Sequence, residues 1–105
     1  MKKEQIEEML EKMGIDYRYH HFEESEAVNP PFICWLIPGS NNFAADGKTF
    51  FKVDKLNIEL YTDSKDTELE QKVEQVLEDY GIYWEKTETY IETENMYEVL
   101  YEMEV

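Results

Sequence analysis

Residues 67–80 have the sequence Thr-Glu-Leu-Glu-Gln-Lys-Val-Glu-Gln-Val-Leu-Glu-Asp-Tyr, in which apolar residues recur every three or four positions. This spacing places them on one face of an α-helix. Thr67 and Glu70 match a capping box, with Asp66 as a competing N-cap. Gly81 suits the left-handed position that ends a helix. The predicted buried stripe is Leu69, Val73, Val76, Leu77 and Tyr80, and the other face carries Glu68, Glu70, Glu74, Glu78 and Lys72.

Upstream of this helix, the pattern predicts one further helix and two strands. Residues 2–13 carry apolar side chains at helical spacing, and Gly14 is placed to end the helix. Residues 32–37 favour a buried strand, because the run is short and rich in aromatic and β-branched side chains. Residues 49–61 predict one long strand whose apolar phase changes, so we expect a bulge or sharp bend near residues 54–55.

Downstream, residues 82–92 and 96–104 predict two strands joined at residues 93–95. In the last strand the apolar side chains alternate with acidic ones, which is typical of an antiparallel strand buried on one face. The acidic row is Glu98, Glu102 and Glu104. The element order is α-β-β-α-β-β. We predict an α+β fold, a single domain over residues 1–105 with two helices packed on a mostly antiparallel sheet.

The chain is strongly acidic and rich in aromatic residues. It has 25 acidic and 10 basic residues, a formal net charge of −15, and 14% aromatic residues. Disordered acidic chains are poor in aromatics, so this composition indicates a folded domain. Residues 1–55 hold 7 bases and 10 acids, a net −3, whereas residues 56–105 hold 3 bases and 15 acids, a net −12. Such a charge repels DNA and anionic membranes, so we expect no specific nucleic-acid binding and no membrane partner.

The cysteine count and the hydropathy pattern bear on the cellular compartment. Cys34 is the single cysteine, so an intramolecular disulfide is impossible and a reducing, cytosolic setting is the default. The first residues lead into a helix with frequent glutamates, so we expect no signal peptide. No apolar run approaches the roughly 20 residues that a membrane helix needs.

Two segments invite a metal-site interpretation, and neither supports it. Residues 17–20 alternate weakly, as a short strand or extended segment would, so His20 and His21 are expected to point to opposite faces. Residues 63–74 faintly resemble a calcium loop, but Lys65 stands where a ligand belongs and Glu68 where glycine is required. We therefore expect no metal at either place.

The sequence contains no catalytic constellation. Cys34 lies between Ile33 and Trp35, which predicts a buried structural thiol without the base that a nucleophile needs. Gly39 and Gly47 are not followed by the Gly-Lys-Ser/Thr of a phosphate loop. Pairs of carboxylates are inevitable among so many acids, and none is distinguished from the rest. We predict a protein that is not an enzyme and has no cofactor.

A loop over residues 38–48 is the candidate contact surface. It is rich in glycine, asparagine and aspartate and lies between two apolar strands. A long hairpin loop bearing an exposed aromatic residue could reach a partner. The alternative is an ordinary flexible loop whose aromatic side chain folds back. The candidate partner-contact residues are Asn41, Asn42, Phe43 and Asp46.

Three segments of the second half resemble a known family. They are Leu-Asn-Ile-Glu-Leu-Tyr-Thr-Asp-Ser-Lys-Asp-Thr-Glu-Leu-Glu at residues 56–70, Val-Glu-Gln-Val-Leu at residues 73–77, and Glu-Thr-Tyr-Ile-Glu-Thr-Glu-Asn-Met-Tyr-Glu-Val at residues 88–99. The family comprises the tail-completion, or tail-terminator, proteins of siphophages and prophages of Gram-positive bacteria, which join the head connector to the tail. The Leu-Tyr-Thr-Asp-x-Lys-Asp run is the most specific part. The resemblance covers residues 50–105, and the first third of the chain carries no diagnostic motif.

The resemblance implies a structural assembly protein without catalytic residues. It would form a hexameric ring that caps the tail tube and presents a surface to the head connector. DNA would pass through the lumen without being gripped, which an acidic lining favours. The loop at residues 39–47 lies where such proteins extend a hairpin toward the tube. The protein would occur in the host cytoplasm during assembly and then in the virion.

The uneven charge distribution indicates how neighbouring subunits could contact each other. Basic residues of the first half could pair with the acidic second half of a neighbour, and such head-to-tail contacts close into rings. The candidate subunit-contact residues are Lys48, Lys52 and Lys55. The alternative function is an acidic binding module, a DNA mimic or an inhibitor of a basic protein. The acidic row of the last strand, together with the acids of the helix at residues 67–80, could form its surface.

Overall fold

The computed structural model describes residues 1–26 and 28–105. The helices lie where apolar residues recur at helical spacing, and most core strands lie where apolar and polar residues alternate. In chain order they are α1 Lys3–Met13, β1 Tyr17–Tyr19, a 3₁₀ helix Glu24–Glu26, β2 Phe32–Leu36, β3 Phe43–Ala45, β4 Lys48–Phe51, β5 Lys55–Thr62, α2 Thr67–Asp79, β6 Trp84–Ile91 and β7 Met96–Glu104.

The strands form two separate sheets. A five-stranded sheet has the order β1-β2-β5-β7-β6, and a two-stranded sheet consists of β3 and β4. Within the larger sheet β1 pairs with β2 in parallel, and the other neighbours are antiparallel. The predicted α+β class, with two helices on a mostly antiparallel sheet, is confirmed. The predicted element order, α-β-β-α-β-β, did not count β1 as a strand, and it did not contain the two strands β3 and β4.

Both helices pack on one face of the five-stranded sheet. Alternate residues of a strand point to the same face, and on β5 and β7 one alternate set is buried. These residues form one core with the apolar stripes of the helices. The central core residues are Ile6, Met9, Leu10, Met13, Ile33, Leu56, Ile58, Leu60, Val73, Leu77, Val99 and Tyr101. The other face of the sheet, which we call the open sheet face, carries neither α-helix of the described residues. At its β1–β2 end the 3₁₀ helix reaches over it, since Arg18 of β1 binds Glu26 at 2.8 Å and Phe22 packs on Phe32.

Both predicted helices are confirmed to within a residue or two at their ends. Gly14 follows α1 with φ of 70°, the left-handed conformation that glycine adopts without strain. At the start of α2, Asp66 is the N-cap, and its carboxylate accepts a hydrogen bond of 3.0 Å from the Leu69 backbone N–H. The predicted capping box of Thr67 and Glu70 is wrong, because the Glu70 side chain points elsewhere.

Glu70 was predicted on the outer face of α2, and the structure places it in the interior, 4% exposed. Its carboxylate lies 2.7 Å from Lys65 Nζ and 3.3 Å from Lys86 Nζ. Lys86 also binds Glu74 at 2.7 Å, and Lys65 binds Glu88 at 2.6 Å. The helix periodicity could not show this arrangement, since the cation of Lys86 comes from β6, a strand distant in sequence. The buried charge is therefore paired on both sides.

We expect Lys86→Met to lower the free energy of unfolding by about 1–3 kcal/mol, because Glu70 keeps one cation instead of two. Urea unfolding followed by circular dichroism measures this change. Lys3→Met is the matched control, since Lys3 makes an exposed pair of 3.7 Å with Glu7. That variant should stay within about 0.5 kcal/mol of the wild type. Equal losses of unfolding free energy in the two variants would contradict the conclusion that Lys86 stabilises the buried Glu70 carboxylate.

The predicted strand at residues 49–61 is wrong as a single element. It comprises β4 and β5, which belong to different sheets and are separated by residues 52–54. The predicted bend near residues 54–55 falls at this break. The predicted loop at residues 40–48 is also wrong in part, because it contains β3, which pairs with β4. The predicted strands at residues 32–37, 82–92 and 96–104 are confirmed as β2, β6 and β7.

Within the described part of the chain, neither helix has the length and apolar character required to cross a bilayer.

Candidate functional site

An exposed hairpin is the most unusual surface of the molecule. Every residue from 38 to 52, which we call the hairpin arm, is exposed. Three phenylalanines lie in it, and their exposed fractions are 60% for Phe43, 79% for Phe50 and 58% for Phe51. Phe43 pairs with Phe51 across the strands, with ring centroids 6.3 Å apart, and the register shifts beside this pair. The arm thus presents aromatic side chains that pack against no core.

A tight turn creates the hairpin arm. Asp46 and Gly47 have φ of 53° and 74°, so both central residues adopt left-handed conformations. Two-residue hairpin turns of the type I′ class need positive φ at both positions, and Asp-Gly is a favoured pair for them. The sequence therefore contained a hairpin signal at residues 46–47, flanked on each side by residues able to form strands. The hairpin loop predicted at residues 38–48 is therefore the correct connection, but the prediction lacked the strands β3 and β4.

The base of the hairpin arm is fixed to the main domain by hydrogen bonds. Asn41 Nδ2 donates to Glu104 Oε2 at 2.9 Å, and the Asn41 backbone N–H donates to the Val53 carbonyl at 2.8 Å. The Val53 N–H donates to Asn42 Oδ1 at 3.0 Å. Ser40 forms an isolated antiparallel bridge with Asp54. The arm is therefore held at its base, and its strands extend without further support.

The predicted partner-contact residues have distinct structural roles. Asn41 and Asn42 hold the base of the hairpin arm, and Asp46 shapes its turn. Phe43 is the one of the four that offers an apolar contact surface. Sequence reasoning missed Phe50 and Phe51, because an apolar run next to a strand was assumed to be buried.

The predicted basic residues do not form one patch. Lys48 and Lys52 are exposed on the hairpin arm, whereas Lys55 begins β5. Lys55 lines a shallow cleft of about 380 Å³ with three glutamates of its own chain, namely Glu85, Glu102 and Glu104. Among residues 1–26 and 28–105, no ion pair within 4.0 Å involves Lys48 or Lys52. These two cations remain available for an external partner.

The open sheet face combines acidic and apolar side chains. Glu59 lies opposite Leu100 in the β5–β7 register, and Glu102 lies opposite Glu85 in the β6–β7 register. Glu98 shares this face because it alternates with the buried residues of β7. The predicted union of the β7 acids with those of α2 is wrong, since the helix covers the opposite face of the sheet. The acidic surface therefore belongs to the sheet alone.

Tyr61 joins two of these carboxylates. Its hydroxyl lies 2.9 Å from Glu59 Oε1 and 2.9 Å from Glu98 Oε2. A phenol has one hydrogen, so it can donate to one of the two, and the second contact needs a carboxyl group that carries a proton. Burial, followed by repulsion from Glu98, raises the pKa of Glu59 above its ordinary value. Phe32 stacks on Tyr61 with ring centroids 4.9 Å apart, which shields the group from water.

We expect Glu59→Gln to raise the melting temperature by a few degrees at neutral pH and to change it little at about pH 4. The pKa of Glu59 is raised in the folded protein. Its stabilising contribution is therefore present below the pKa of the unfolded chain and is lost as the pH rises through the folded pKa. The amide removes this loss and still accepts a hydrogen bond from Tyr61. Differential scanning calorimetry at both pH values measures the difference between the two proteins.

The matched control is Glu94→Gln, in the exposed turn before β7. It changes the same functional group at a position without such a neighbour, and should leave the melting temperature nearly unchanged at both pH values. A loss of stability in the Glu59→Gln variant at neutral pH would show that the charged carboxylate is favourable there.

Cys34 is buried, as predicted, with 5% of its surface exposed. Burial, together with the charges of Glu59 and Glu98, raises the pKa of the Cys34 thiol to about 11. A thiol with this pKa is protonated at neutral pH, and the thiolate is the nucleophilic form. Cys34 therefore contributes packing between the sheet and the segment that follows β1.

The prediction that His20 and His21 diverge is wrong. Both lie beyond the end of β1, and His20 has φ of 69°, which reverses the chain direction and brings the rings together. Their Nδ1 atoms are 3.2 Å apart. His21 Nε2 lies 3.5 Å from Glu23 Oε1 at the exposed surface. In the described residues, no group of three or more His, Cys, Asp or Glu side chains could hold a metal ion.

Residues 63–74, for which we predicted no calcium site, comprise the connection from β5 to α2 and the first part of that helix. Asp66 caps the helix, and Lys65 binds Glu70 and Glu88. Glu74 accepts hydrogen bonds from Lys86 and from the Tyr101 hydroxyl at 2.7 and 2.8 Å. These carboxylates therefore serve helix capping and ion pairing.

Compared with family models, with curated proteins and with solved structures, the chain has no match. Its function is therefore inferred from the surfaces described above, chiefly the hairpin arm and the open sheet face. The first carries exposed aromatic and basic residues, and the second carries acidic and apolar residues.

Proposed function

We propose that this protein is a structural assembly subunit that binds other proteins through its hairpin arm and has no catalytic activity. The observation that carries the proposal is the complete exposure of residues 38–52 with three phenylalanines among them. An isolated two-stranded hairpin is at best marginally stable in water. Exposed apolar surface of this kind marks a protein-interaction site. A partner that covers Phe43, Phe50 and Phe51 would stabilise the arm and remove their apolar surface from water.

The setting we propose is the head–tail junction of a phage or prophage. The segments that resemble tail-completion proteins lie in β5, α2, β6 and β7, which include the interior strands β5 and β7 and the edge strand β6. In that setting the chain is one subunit of a hexameric ring, and its partners are the tail-tube and head-connector proteins. The protein would be made in the host cytoplasm and remain in the virion.

The charge of the protein supports passage of DNA without binding. A net charge of −15 on each subunit repels phosphate, so a lumen lined by such subunits would not hold the DNA back. The open sheet face is a source of negative charge on such a ring. Within this proposal, the ring guides DNA by repulsion and makes no specific nucleic-acid contact.

Electron microscopy of particles tests the proposed function. The gene would be deleted from the phage or prophage that encodes it, and the lysate examined. We expect filled heads and separate tails, or tubes of irregular length, and complementation by the wild-type gene should restore joined particles. The double variant Phe50→Ser with Phe51→Ser should fail to complement, whereas Lys3→Met should succeed. Normal joined particles after deletion would exclude the proposal.

A second candidate function is an acidic binding module that mimics DNA or inhibits a basic protein. The observation that favours it is the placement of Glu59, Glu85, Glu98 and Glu102 on one face of the sheet. Such a module would bind a basic partner through this face as a monomer. Joined particles after deletion, together with salt-sensitive binding of a basic protein, would favour this alternative.

A further inference from the structure

We infer that the hairpin arm of one copy of this chain docks on the open sheet face of a second copy. This inference rests on the proposed function, because it names the partner of the arm within an assembly of identical subunits. The two surfaces are different parts of the chain, so the contact is heterologous and each subunit offers one arm and one face. Contacts of this type close into a ring or continue as a filament.

Charge complementarity favours this occupant. The hairpin arm carries Lys48 and Lys52 against Asp46, a net charge of +1 in a chain whose total is −15. The open sheet face carries glutamates at positions 59, 85, 98, 102 and 104 against two cations, Arg18 and Lys55, a net charge of −3. Cations of a neighbouring arm would relieve the repulsion among these carboxylates. A second copy thus supplies further positive charge to a surface on which acidic residues outnumber basic ones.

The apolar parts of the two surfaces also match. Leu36 and Leu100 are half-buried on the open sheet face; Leu36 lies opposite Asn57, and Leu100 lies among Glu59, Glu98 and Glu102. Phe43 and Phe51 pair across the hairpin and share one of its faces, and they need such an apolar surface to leave water. Each aromatic side chain can bury about 150–250 Å². The arm therefore carries enough apolar area to hold two subunits together in a small contact.

The dimensions of the two surfaces are compatible. Strands β3 and β4 have 3 and 4 residues, so the paired part of the arm is roughly 10–14 Å long. The four strands from β2 to β6 in the larger sheet span roughly 14–15 Å at their usual spacing. One arm can therefore lie across the central strands of a neighbouring sheet.

The arm does not fill this role within its own chain. All its residues remain exposed in the isolated subunit, and its base is tied to β7 through the bond between Asn41 and Glu104. The open sheet face of the same chain also remains uncovered at Glu85 and Glu102, which are both exposed. Each surface is therefore unoccupied in one copy and available to another.

Sedimentation velocity over a wide concentration range tests the inference. We expect the wild type to self-associate reversibly. Two variants each remove one surface: an arm variant with Phe50→Ser and Phe51→Ser, and a face variant with Leu100→Ser and Glu102→Lys. Each should weaken self-association at least tenfold. Glu78→Lys is the matched control for charge reversal, because it is exposed on α2, away from both surfaces, and should associate as the wild type does.

Mixing the two variants gives the decisive result. The arm variant keeps an intact face and the face variant keeps an intact arm, so an equimolar mixture should form a one-to-one heterodimer and stop there. Circular dichroism confirms that both variants are folded. A mixture that stays monomeric, or a wild type that stays monomeric at every concentration, would overturn the inference.

The outcomes also separate this inference from the proposed function. If the arm variant fails to join heads to tails while the face variant associates normally, the arm has another partner. The proposed function then stands and the inference is wrong. If each variant loses self-association and the mixture forms a heterodimer, but deletion of the gene leaves joined particles, the contact exists and the proposed function is wrong.

Discussion

Replacement of Tyr101 by alanine is expected to lower the free energy of unfolding by about 3–5 kcal/mol. Tyr101 is fully buried in β7, and its ring packs edge-on against Trp84 with centroids 5.6 Å apart. Its hydroxyl donates to Glu74 on α2 at 2.8 Å. The side chain therefore connects the sheet to the helix, and its removal leaves a cavity and takes away one of the two hydrogen bonds that Glu74 accepts. A loss of this size is a large part of the roughly 5–15 kcal/mol that stabilises a typical domain.

Two further variants separate the contributions of Tyr101. Tyr101→Phe keeps the ring and removes the hydroxyl, and should lose about 1–2 kcal/mol, because Glu74 retains Lys86. Tyr90→Ala is the exposed control, since Tyr90 is 47% exposed near the end of β6 and should lose less than about 1 kcal/mol. Urea unfolding followed by circular dichroism measures all three. A loss below about 1 kcal/mol for Tyr101→Ala would show that the core can repack around the missing ring.

Removal of the hairpin arm is expected to abolish self-association and leave the stability nearly unchanged. Replacement of residues 43–51 by an Asn-Gly turn retains Asn41 and Asn42, which hold the base. The deleted residues are all exposed and contribute no core contact, so the free energy of unfolding should change by less than about 1 kcal/mol. Self-association should weaken at least a hundredfold, since all three phenylalanines are lost.

The arm deletion is measured by thermal unfolding and by sedimentation velocity on the same preparations. A replacement at the other hairpin provides the control: changing residues 93–94 to Asn-Gly alters the exposed turn before β7 without touching either proposed surface. That variant should associate as the wild type does. A fall of many degrees in the melting temperature of the arm deletion would mean that the arm stabilises its own domain. That result would contradict the interpretation that the arm contributes no core contact.

The sequence predicted correctly those elements in which the spacing of apolar residues along the chain shows which face is buried. The stripe of Leu69, Val73 and Leu77 indicated α2, and the alternation at Val99, Tyr101 and Met103 indicated β7. In both cases, one face of the element is buried against the core, so hydrophobic periodicity reports the structure directly. The α+β class followed from the order of these elements.

A hairpin loop was predicted at residues 38–48, but its strands β3 and β4 and the exposure of Phe50 and Phe51 escaped prediction. The Asp46-Gly47 pair indicated a hairpin, but Phe50 and Phe51 adjoin the apolar run of β5 and were assigned to the same buried strand. That assignment assumed that apolar side chains are buried in their own chain. A residue that binds a partner breaks this assumption, and functional surfaces are where local rules commonly fail.

By itself, the sequence determined the two helices, the last two strands and the fold class, because these depend on residue identity and short-range periodicity. Only the tertiary structure decided that Glu70 is buried between Lys65 and Lys86, that the β7 acids and the α2 acids lie on opposite sides of the sheet, and that residues 38–52 stand clear of the core. Each of these depends on which distant strands become neighbours. A one-dimensional pattern does not contain that information, since pairing across a sheet joins residues that are far apart in the chain.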